Sequence, residues 1–300
     1  MTFDEKFDRN DMAKWFYKVA IDPDLQGQSS HPPVKRHRWV NFFSYFASYN
    51  IKAVLNHVSE VHQNQKSYNG AFTSANIIFQ NGAVSIVGIP TVEFTKDTCA
   101  GDFYKLYSIF KAKFAPHIPL YFDHLLGYLE TCPDKANSND EAIVAFIINH
   151  PCLQSYLSRM GQIEHLANMW HRHPGHSKMN ESAMGNYSWY PLADSAPVLH
   201  DVFVYGPNGD AYFLNGTWYD LNTLYTDDAK GCLHFANNFL KHAPNSFMLH
   251  QVEAALSFNL KNFLPMILLN LARLAQKQPL GRQYIIDVLS NKLADRSTGN

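Results

Sequence analysis

The sequence has few cysteines, and it spaces them widely. They are Cys99, Cys132, Cys152 and Cys232, and no Cys-x-x-Cys pair occurs among the 300 residues. Neither a disulfide framework nor a cysteine-based zinc site is therefore indicated. So low a cysteine content in a chain of this size is typical of a reducing compartment.

The chain also lacks an excess of charge and a long apolar run. Lys and Arg number 25 against 26 Asp and Glu, so no global basic field indicates a nucleic-acid partner. The longest apolar stretch, residues 263–272, is too short and interrupted to span a bilayer, which predicts no integral membrane segment. The first residues are charged where a signal peptide is apolar. We therefore expect a cytoplasmic protein, or one secreted without a classical signal peptide into a host cell cytosol.

The composition and the apolar spacing predict an α+β protein. Hydrophobic residues make up 46% of the chain and aromatic residues 14%, which is enough for a substantial core. We interpret residues 1–300 as one α+β domain with an N-terminal helical extension, 1–70, and a C-terminal helical block, 227–295. Helical spacing predicts helices over 3–20, 39–65, 99–114, 119–131, 141–150 and 152–171. Apolar runs on either side of Asn81-Gly82 predict a β-hairpin.

A second hairpin is predicted over His200–Asp220. Residues 202–205 alternate as a strand does, residues 206–210 are rich in turn formers, and residues 211–215 form the returning strand. His200 opens the first strand, and Asn215 ends the second. A side-chain amide next to an imidazole can orient the imidazole so that it deprotonates a thiol.

The thiol in question is Cys99. It lies where a helix is expected to begin, with Asp97 or Thr98 as the N-cap. Backbone N–H groups at a helix start favour a thiolate and can stabilise an oxyanion. The small residues Ala100 and Gly101 leave space beside the sulfur. We predict that Cys99 is the nucleophile and His200 its base, with Asn215, or alternatively Asp220, orienting the imidazole.

The order Cys99, His200, Asn215 resembles the papain-like superfamily in its broad sense, which includes proteases, glutamine deamidases, transglutaminases and arylamine N-acetyltransferases. Trp218 resembles the tryptophan that shields the Asn–His bond in papain-type enzymes. The sequence departs from that pattern at Glu93, where those proteases keep a glutamine. The resemblance implies a papain-like core with a small antiparallel sheet and added helices.

This resemblance also implies a function. It is a thiol-dependent hydrolase or acyltransferase that acts on amide bonds of a protein substrate and needs no cofactor, in the manner of a bacterial effector protease or deamidase. We expect Trp218, Gly101 and His173 to border the substrate. The sequence decides neither the substrate nor the oligomeric state.

Three alternatives stay open. Cys152 is the rival nucleophile, since it follows Pro151 and also lies at a predicted helix start. His171, His173 and His176 form a dense cluster that resembles metalloprotease zinc motifs, although it lacks the carboxylate that those motifs require. Thirdly, the aromatic helices and the C-terminal helical block could form a non-enzymatic interaction module.

Overall fold

A computed structural model describes most of the chain. The described residues are 1–21, 38–134, 139–172, 187–196, 198–199, 213–214, 217–218, 225–242, 247–277 and 282–290. Helices dominate them, together with short two-stranded sheets. The predicted α+β class is therefore confirmed, whereas the papain-like core stays a prediction.

The helices and strands follow one another in this order along the chain. The α-helices are Phe3–Lys6 (α1), Tyr45–Gln63 (α2), Lys96–Phe114 (α3), Phe122–Thr131 (α4), Glu141–Ile148 (α5), Tyr156–Arg172 (α6), Tyr190–Asp194 (α7), Ala229–His242 (α8), Leu249–Asn259 (α9), Phe263–Lys277 (α10) and Arg282–Leu289 (α11). The strands are Phe16–Ala20 (β1), Trp39–Phe43 (β2), Lys66–Ser67 (β3), Ile77–Gln80 (β4), Ala83–Ile86 (β5), Val92–Glu93 (β6), Phe213–Leu214 (β7) and Thr217–Trp218 (β8). Short 3-10 turns cover Arg9–Lys14, Ser74–Asn76 and Pro151–Leu153.

The chain divides into two compact units. The first comprises Met1–Tyr17, Asn41–Gln154 and Ala275–Ser290, and the second comprises Lys18–Val40, Ser155–Leu274 and Asn291–Asn300. The predicted extension at 1–70 and block at 227–295 follow different boundaries and stay predictions.

Aromatic side chains build the core of the first unit around Phe114, at the end of α3. The ring of Phe114 lies 5.1 Å from Phe43, 5.3 Å from Phe7 and 5.6 Å from Phe122, between ring centroids. All these rings are buried. Edge-to-face pairs of this kind add to the burial of apolar area. They hold α3 against α4, β2 and the N-terminal segment, and so fix the position of the α3 helix.

The Asn81-Gly82 hairpin is confirmed. Strands β4 and β5 pair antiparallel, with Gln80 opposite Ala83 and Ile77 opposite Ile86. Asn81 and Gly82 take φ values of 51° and 79°, as the two central residues of a type I′ turn must.

The helices predicted over 3–20 and from residue 39 are wrong in part. Residues Phe16–Ala20 and Trp39–Phe43 are strands of a two-stranded sheet, so the N-terminal region is not wholly helical. Trp39, Phe42 and Phe43 recur at the same steps as the apolar residues of α2. The sequence pattern therefore does not show where the strand ends and the helix begins. The boundary is set by Ser44, whose Oγ accepts a hydrogen bond from the N–H of Ala47 at 3.2 Å and caps α2.

The second unit is a helical assembly in which α6 packs against α8 and α9. A buried ion pair joins two of these helices: Arg159 Nε donates to Glu253 Oε1 at 2.6 Å, and Arg159 Nη2 donates to Oε2 at 2.5 Å. Ser257 Oγ donates to Oε1 of the same carboxylate at 2.6 Å. The helices predicted after residue 227 are present as α8 to α11, of which α11 belongs to the first unit.

The second predicted hairpin is described only in part. Strands β7 and β8 pair antiparallel, with Phe213 opposite Trp218 and Leu214 opposite Thr217. The described pairing therefore joins residues 213–214 to residues 217–218. The predicted first strand lies outside the described residues.

No single helix in the described ranges is long and apolar enough to cross a membrane, although the bent pair α9 and α10 together passes the same test of length and composition.

Candidate functional site

Cys99 lies near the start of α3, but the helix begins earlier than the sequence predicts. Thr95 is the N-cap: its Oγ1 accepts from the N–H of Thr98 at 3.1 Å, and Thr98 Oγ1 accepts from the N–H of Thr95 at 2.8 Å. The N–H of Cys99 already donates to the carbonyl of Thr95 at 3.0 Å. The caps predicted at Asp97 and Thr98 are therefore wrong, and the Cys99 amide is not one of the unpaired N–H groups of a helix end.

The Cys99 thiol contacts a histidine that sequence analysis did not single out. Cys99 Sγ lies 3.6 Å from Nδ1 of His62, which stands in the last turn of α2. The other ring nitrogen of His62, Nε2, lies 2.9 Å from Oδ2 of Asp102. Since Asp102 follows Cys99 by three residues on α3, both side chains leave the same face of that helix. The result is a hydrogen-bonded row of thiol, imidazole and carboxylate, which we call the thiol cluster: Cys99, His62 and Asp102.

Asp102 also holds the segment between β3 and the Ser74–Asn76 turn. Its Oδ2 accepts from Ser67 Oγ at 2.6 Å and from the N–H of Tyr68 at 2.9 Å, and its Oδ1 accepts from the N–H of Gly70 at 2.7 Å. Asp102 therefore anchors a loop to α3 as well as facing His62.

The thiol cluster is fully closed to solvent. Cys99, His62 and Asp102 each have 0% of their surface exposed. The rings of Phe94 and Phe103 both lie 5.3 Å from the His62 ring. Burial by itself lowers the pKa of His62, but the hydrogen bonds to Asp102 and Cys99 outweigh it and raise the pKa to about 9. At neutral pH His62 is therefore an imidazolium that donates to both neighbours.

The space that Gly101 was expected to leave for a substrate is filled by the protein itself. A Cβ on Gly101 would lie 3.2 Å from the carbonyl carbon of Asn69, and a Cβ on Gly70 would lie 2.7 Å from the carbonyl oxygen of Gly101. Gly70 also has a φ of +65°, which L-residues rarely adopt. Both glycines serve a close contact between the loop and α3.

The rival thiol, Cys152, has its own histidine row in the same unit. Cys152 Sγ lies 3.1 Å from Nδ1 of His150, and His150 Nε2 lies 3.0 Å from Nδ1 of His124. Burial, with the nearby His124, holds the pKa of His150 well below its ordinary value. Cys152 stands in the Pro151–Leu153 turn, and the helix predicted over 152–171 is present as α6 but begins at Tyr156 rather than at Cys152.

Several predicted site residues lie outside the described residues. They are His200, Asn215, His173 and His176, and the side chains of Trp218 and His171 are not described either. The pairing of Cys99 with His200 thus stays a prediction. In the described ranges, no group of three or more His, Cys, Asp or Glu side chains could hold a metal ion.

The two partners of Cys99, His62 and Asp102, differ in whether the sequence alone could have predicted them. Asp102 could have been found from its spacing of three residues on a helix that was predicted. His62 lies 37 residues before Cys99 and on another helix, so only the packing of α2 against the start of α3 brings it there. Local patterns do not contain that information.

Part of the chain is similar to known sequences. The family described as the C3H64 C-terminal domain matches residues 160–295. A zinc finger CCCH domain-containing protein 64 from Oryza sativa subsp. japonica is 31% identical over 112 residues, which are 37% of this chain and 20% of the rice protein. The match therefore spans about a fifth of the rice protein's length. No solved structure matches the chain significantly. The similarity to the C3H64 C-terminal domain falls mainly on the second unit and does not include the residues of the thiol cluster.

Proposed function

We propose that this protein works as a non-enzymatic interaction module that binds a protein partner. The observation that carries the proposal is the closure of both candidate thiols: Cys99 is 0% exposed and Cys152 4% exposed, and their histidine partners are 0% exposed. A catalytic thiol has to meet its substrate, and reactive cysteines are partially exposed. Buried polar groups with a complete set of hydrogen bonds instead specify and rigidify a core.

The similarity to the rice protein supports the same proposal. The matched part is a fifth of that protein, whose name refers to a zinc finger. The four cysteines of this chain stand far apart in sequence and do not form such a finger. What the two chains share is thus a segment of 112 residues that accompanies other regions in the rice protein, as interaction domains do.

The second unit presents an apolar surface suited to docking. The rings of Tyr156 and His250 lie 6.0 Å apart, so the first turns of α6 and α9 are neighbours. Close to these two residues in sequence, Leu157 is 57% exposed, Met248 66% and Leu249 55%. Large apolar side chains that gather on a surface typically mark a protein contact. We call this group the α6–α9 surface and infer that the partner binds there.

The test compares partners captured by the full chain and by two variants from extracts of the cells that make the protein. The double substitution Leu157→Ser/Leu249→Ser should release a partner that the wild type retains. Tyr104→Ser, which changes a 53% exposed aromatic residue on α3 in the first unit, is the matched control and should retain it. Equal retention by all three proteins would contradict docking at the α6–α9 surface.

A thiol-dependent hydrolase or acyltransferase is the second candidate, and one observation favours it. The Sγ–Nδ1 distance of 3.6 Å and the Nε2–Oδ2 distance of 2.9 Å align a thiol, a base and an orienting carboxylate, as nucleophilic catalysis requires. In such a reaction Cys99 would be a thiolate whose proton His62 holds, and its Sγ would attack an amide carbonyl carbon. His62 would give its proton to the leaving amine, and water or a second amine would release the acyl group from sulfur. His200 and Asn215 remain the partners predicted from sequence.

Thiol labelling separates the two candidates. Iodoacetamide at mildly acidic pH should label Cys99 only after the protein is unfolded in urea, as it should label Cys232, which is also 0% exposed and whose pKa burial raises. The enzyme proposal instead requires Cys99 to react in the native protein faster than a free thiol and to slow in His62→Gln. Native labelling of Cys99 but not Cys232 would overturn the ranking given above.

A further inference from the structure

A cleft of about 470 Å³ lies on the first unit, apart from both thiols. It is bordered by the outer face of α3, the N-terminal segment and the turn at residues 73–74. Positions 105, 108, 109, 112 and 113 line it from α3, and their spacing of three and four residues places them on one helix face. Its polar lining residues are Arg9, Lys105, Lys113, Thr73, Ser74 and Ser108. The cleft therefore gathers cations and hydroxyl groups in one place.

One carboxylate, Asp4, also faces the cleft, and its charge is already matched. Lys113 Nζ donates to Asp4 Oδ1 at 3.0 Å, and Ser74 Oγ donates to Oδ2 at 2.6 Å. The hydrogen bond from Ser74 and the charge of Lys113 hold the pKa of Asp4 below its ordinary value, so Asp4 is ionised. The cleft holds three cations, Arg9, Lys105 and Lys113, and this one carboxylate. Two positive charges are therefore in excess.

The two remaining cations can reach a ligand. Arg9 is exposed, and its Nη2 donates to the carbonyl of Ala112 at 3.4 Å, which engages one of the five N–H groups of the guanidinium. This contact holds the side chain along α3 while it leaves N–H groups for an anion. Lys105 is half-buried one turn before Ser108 and Ile109 on the same face.

We propose that this cleft binds the phosphoryl group of a small phosphate monoester. A phosphate dianion matches an excess of two positive charges, and its three oxygens accept hydrogen bonds from an Arg fork, a Lys and hydroxyl groups at once. The aliphatic side chains of Ile109 and Ala112 offer an apolar wall to the rest of the molecule. The volume lies in the range of small-molecule sites. This binding is independent of docking at the α6–α9 surface.

Calorimetric titration of the full chain tests the proposal, with phenyl phosphate, inorganic phosphate and benzoate as probes. Phenyl phosphate should bind saturably, and Arg9→Gln and Lys105→Gln should each weaken it at least tenfold. Lys96→Gln removes the same charge from an exposed position of α3 outside the cleft and should change the affinity less than twofold. Benzoate, a monoanion with two oxygens, should bind more weakly than either phosphate.

The probes also distinguish the source of the phosphoryl group. Inorganic phosphate binding as tightly as phenyl phosphate identifies a site for free phosphate, and tighter binding of the ester shows that the apolar wall contributes. Either result supports a phosphoryl site. Absence of saturable binding at millimolar phosphate, or an equal loss of affinity in Lys96→Gln and Arg9→Gln, would overturn the proposal. Unchanged thermal unfolding of the variants confirms that the losses are local.

Discussion

His62 and Asp102 form a hydrogen-bonded pair with Nε2 and Oδ2 2.9 Å apart, although neither side chain has any surface exposed to water. Burying two charges is costly, and their attraction offsets that cost only where further hydrogen bonds complete the site. Here Ser67, Tyr68 and Gly70 supply those bonds to Asp102. The pair therefore joins the end of α2, the loop after β3 and the start of α3.

The His62–Asp102 pair makes the free energy of unfolding decrease as pH rises above neutral. The pKa of His62 is about 9 in the folded protein and 6.5 in the unfolded chain. The folded state thus keeps a proton that the unfolded state has released, so the stabilisation is complete below pH 6.5 and is lost as pH rises through 9. We expect a loss on the order of 3 kcal/mol. Urea unfolding between pH 6.5 and pH 9 should show this decrease of the unfolding free energy in wild type. The control His242→Gln, which changes an exposed histidine, should show the same decrease, whereas His62→Gln should not.

His150 gives the opposite slope on the acid side. Its pKa is held well below the ordinary 6.5, so it stays neutral in the folded protein while the unfolded chain takes up a proton. Stability from this group should therefore fall as pH falls below 6.5. Together the two histidines predict a maximum of the unfolding free energy near pH 6.5. His150→Asn should flatten the acid side alone, and an unchanged acid slope in that variant would contradict the assignment.

Removing the charge of Asp102 should be strongly destabilising. Asp102→Asn keeps the size of the side chain but leaves the imidazolium of His62 buried without a counter-charge, which costs roughly 3–5 kcal/mol. Glu130→Gln changes an exposed carboxylate on α4 and should cost less than about 0.5 kcal/mol. Urea unfolding of both variants measures the difference. A loss of unfolding free energy below about 1 kcal/mol in Asp102→Asn would show that the hydrogen bonds to the loop do not depend on the charge of Asp102.

The parts of this structure that depend on local spacing were predictable, and those that depend on packing were not. Phe103, Leu106 and Phe110 recur at helical steps, and Asn81-Gly82 is a turn signal, so α3 and the first hairpin follow from the sequence. The strand Trp39–Phe43 was missed because its apolar residues continue the period of α2 across Ser44.

The thiol cluster shows the same limit within one site. Cys99 was identified from its place near a helix start, and the carboxylate one turn later lies on the same face. His62 belongs to a helix whose end is brought there by contacts between distant parts of the chain. The closure of the site depends on the loop at residues 69–70 covering Gly101, and no local pattern predicts that contact.

The contact between Gly70 and Gly101 should tolerate no side chain. In Gly70→Ala the new Cβ would lie 2.7 Å from a backbone oxygen that cannot move alone, and the residue would keep a φ of +65°. We expect a loss of roughly 2–4 kcal/mol, from backbone strain and overpacking together. Gly82→Ala is a matched control because its φ is +79° but nothing lies within 4 Å of the new Cβ. It should show only the strain, about 1–2 kcal/mol. Equal losses of unfolding free energy in Gly70→Ala and Gly82→Ala, measured by thermal or urea unfolding, would mean that the loop does not pack closely against α3.

In the second unit, the Arg159–Glu253 pair should respond differently to single and double replacement. Both side chains are at most 1% exposed, and two hydrogen bonds of 2.6 Å and 2.5 Å join them. Glu253→Leu alone removes the carboxylate that the buried guanidinium faces and should cost roughly 3–5 kcal/mol. The double variant Arg159→Met/Glu253→Leu removes both charges and keeps similar volume, so most of that loss should be recovered, apart from the unpaired Ser257 hydroxyl. Urea unfolding of wild type, Arg159→Met, Glu253→Leu and the double variant gives the coupling energy between the two residues. A double variant as unstable as the sum of the singles would contradict the pairing, because independent sites are additive.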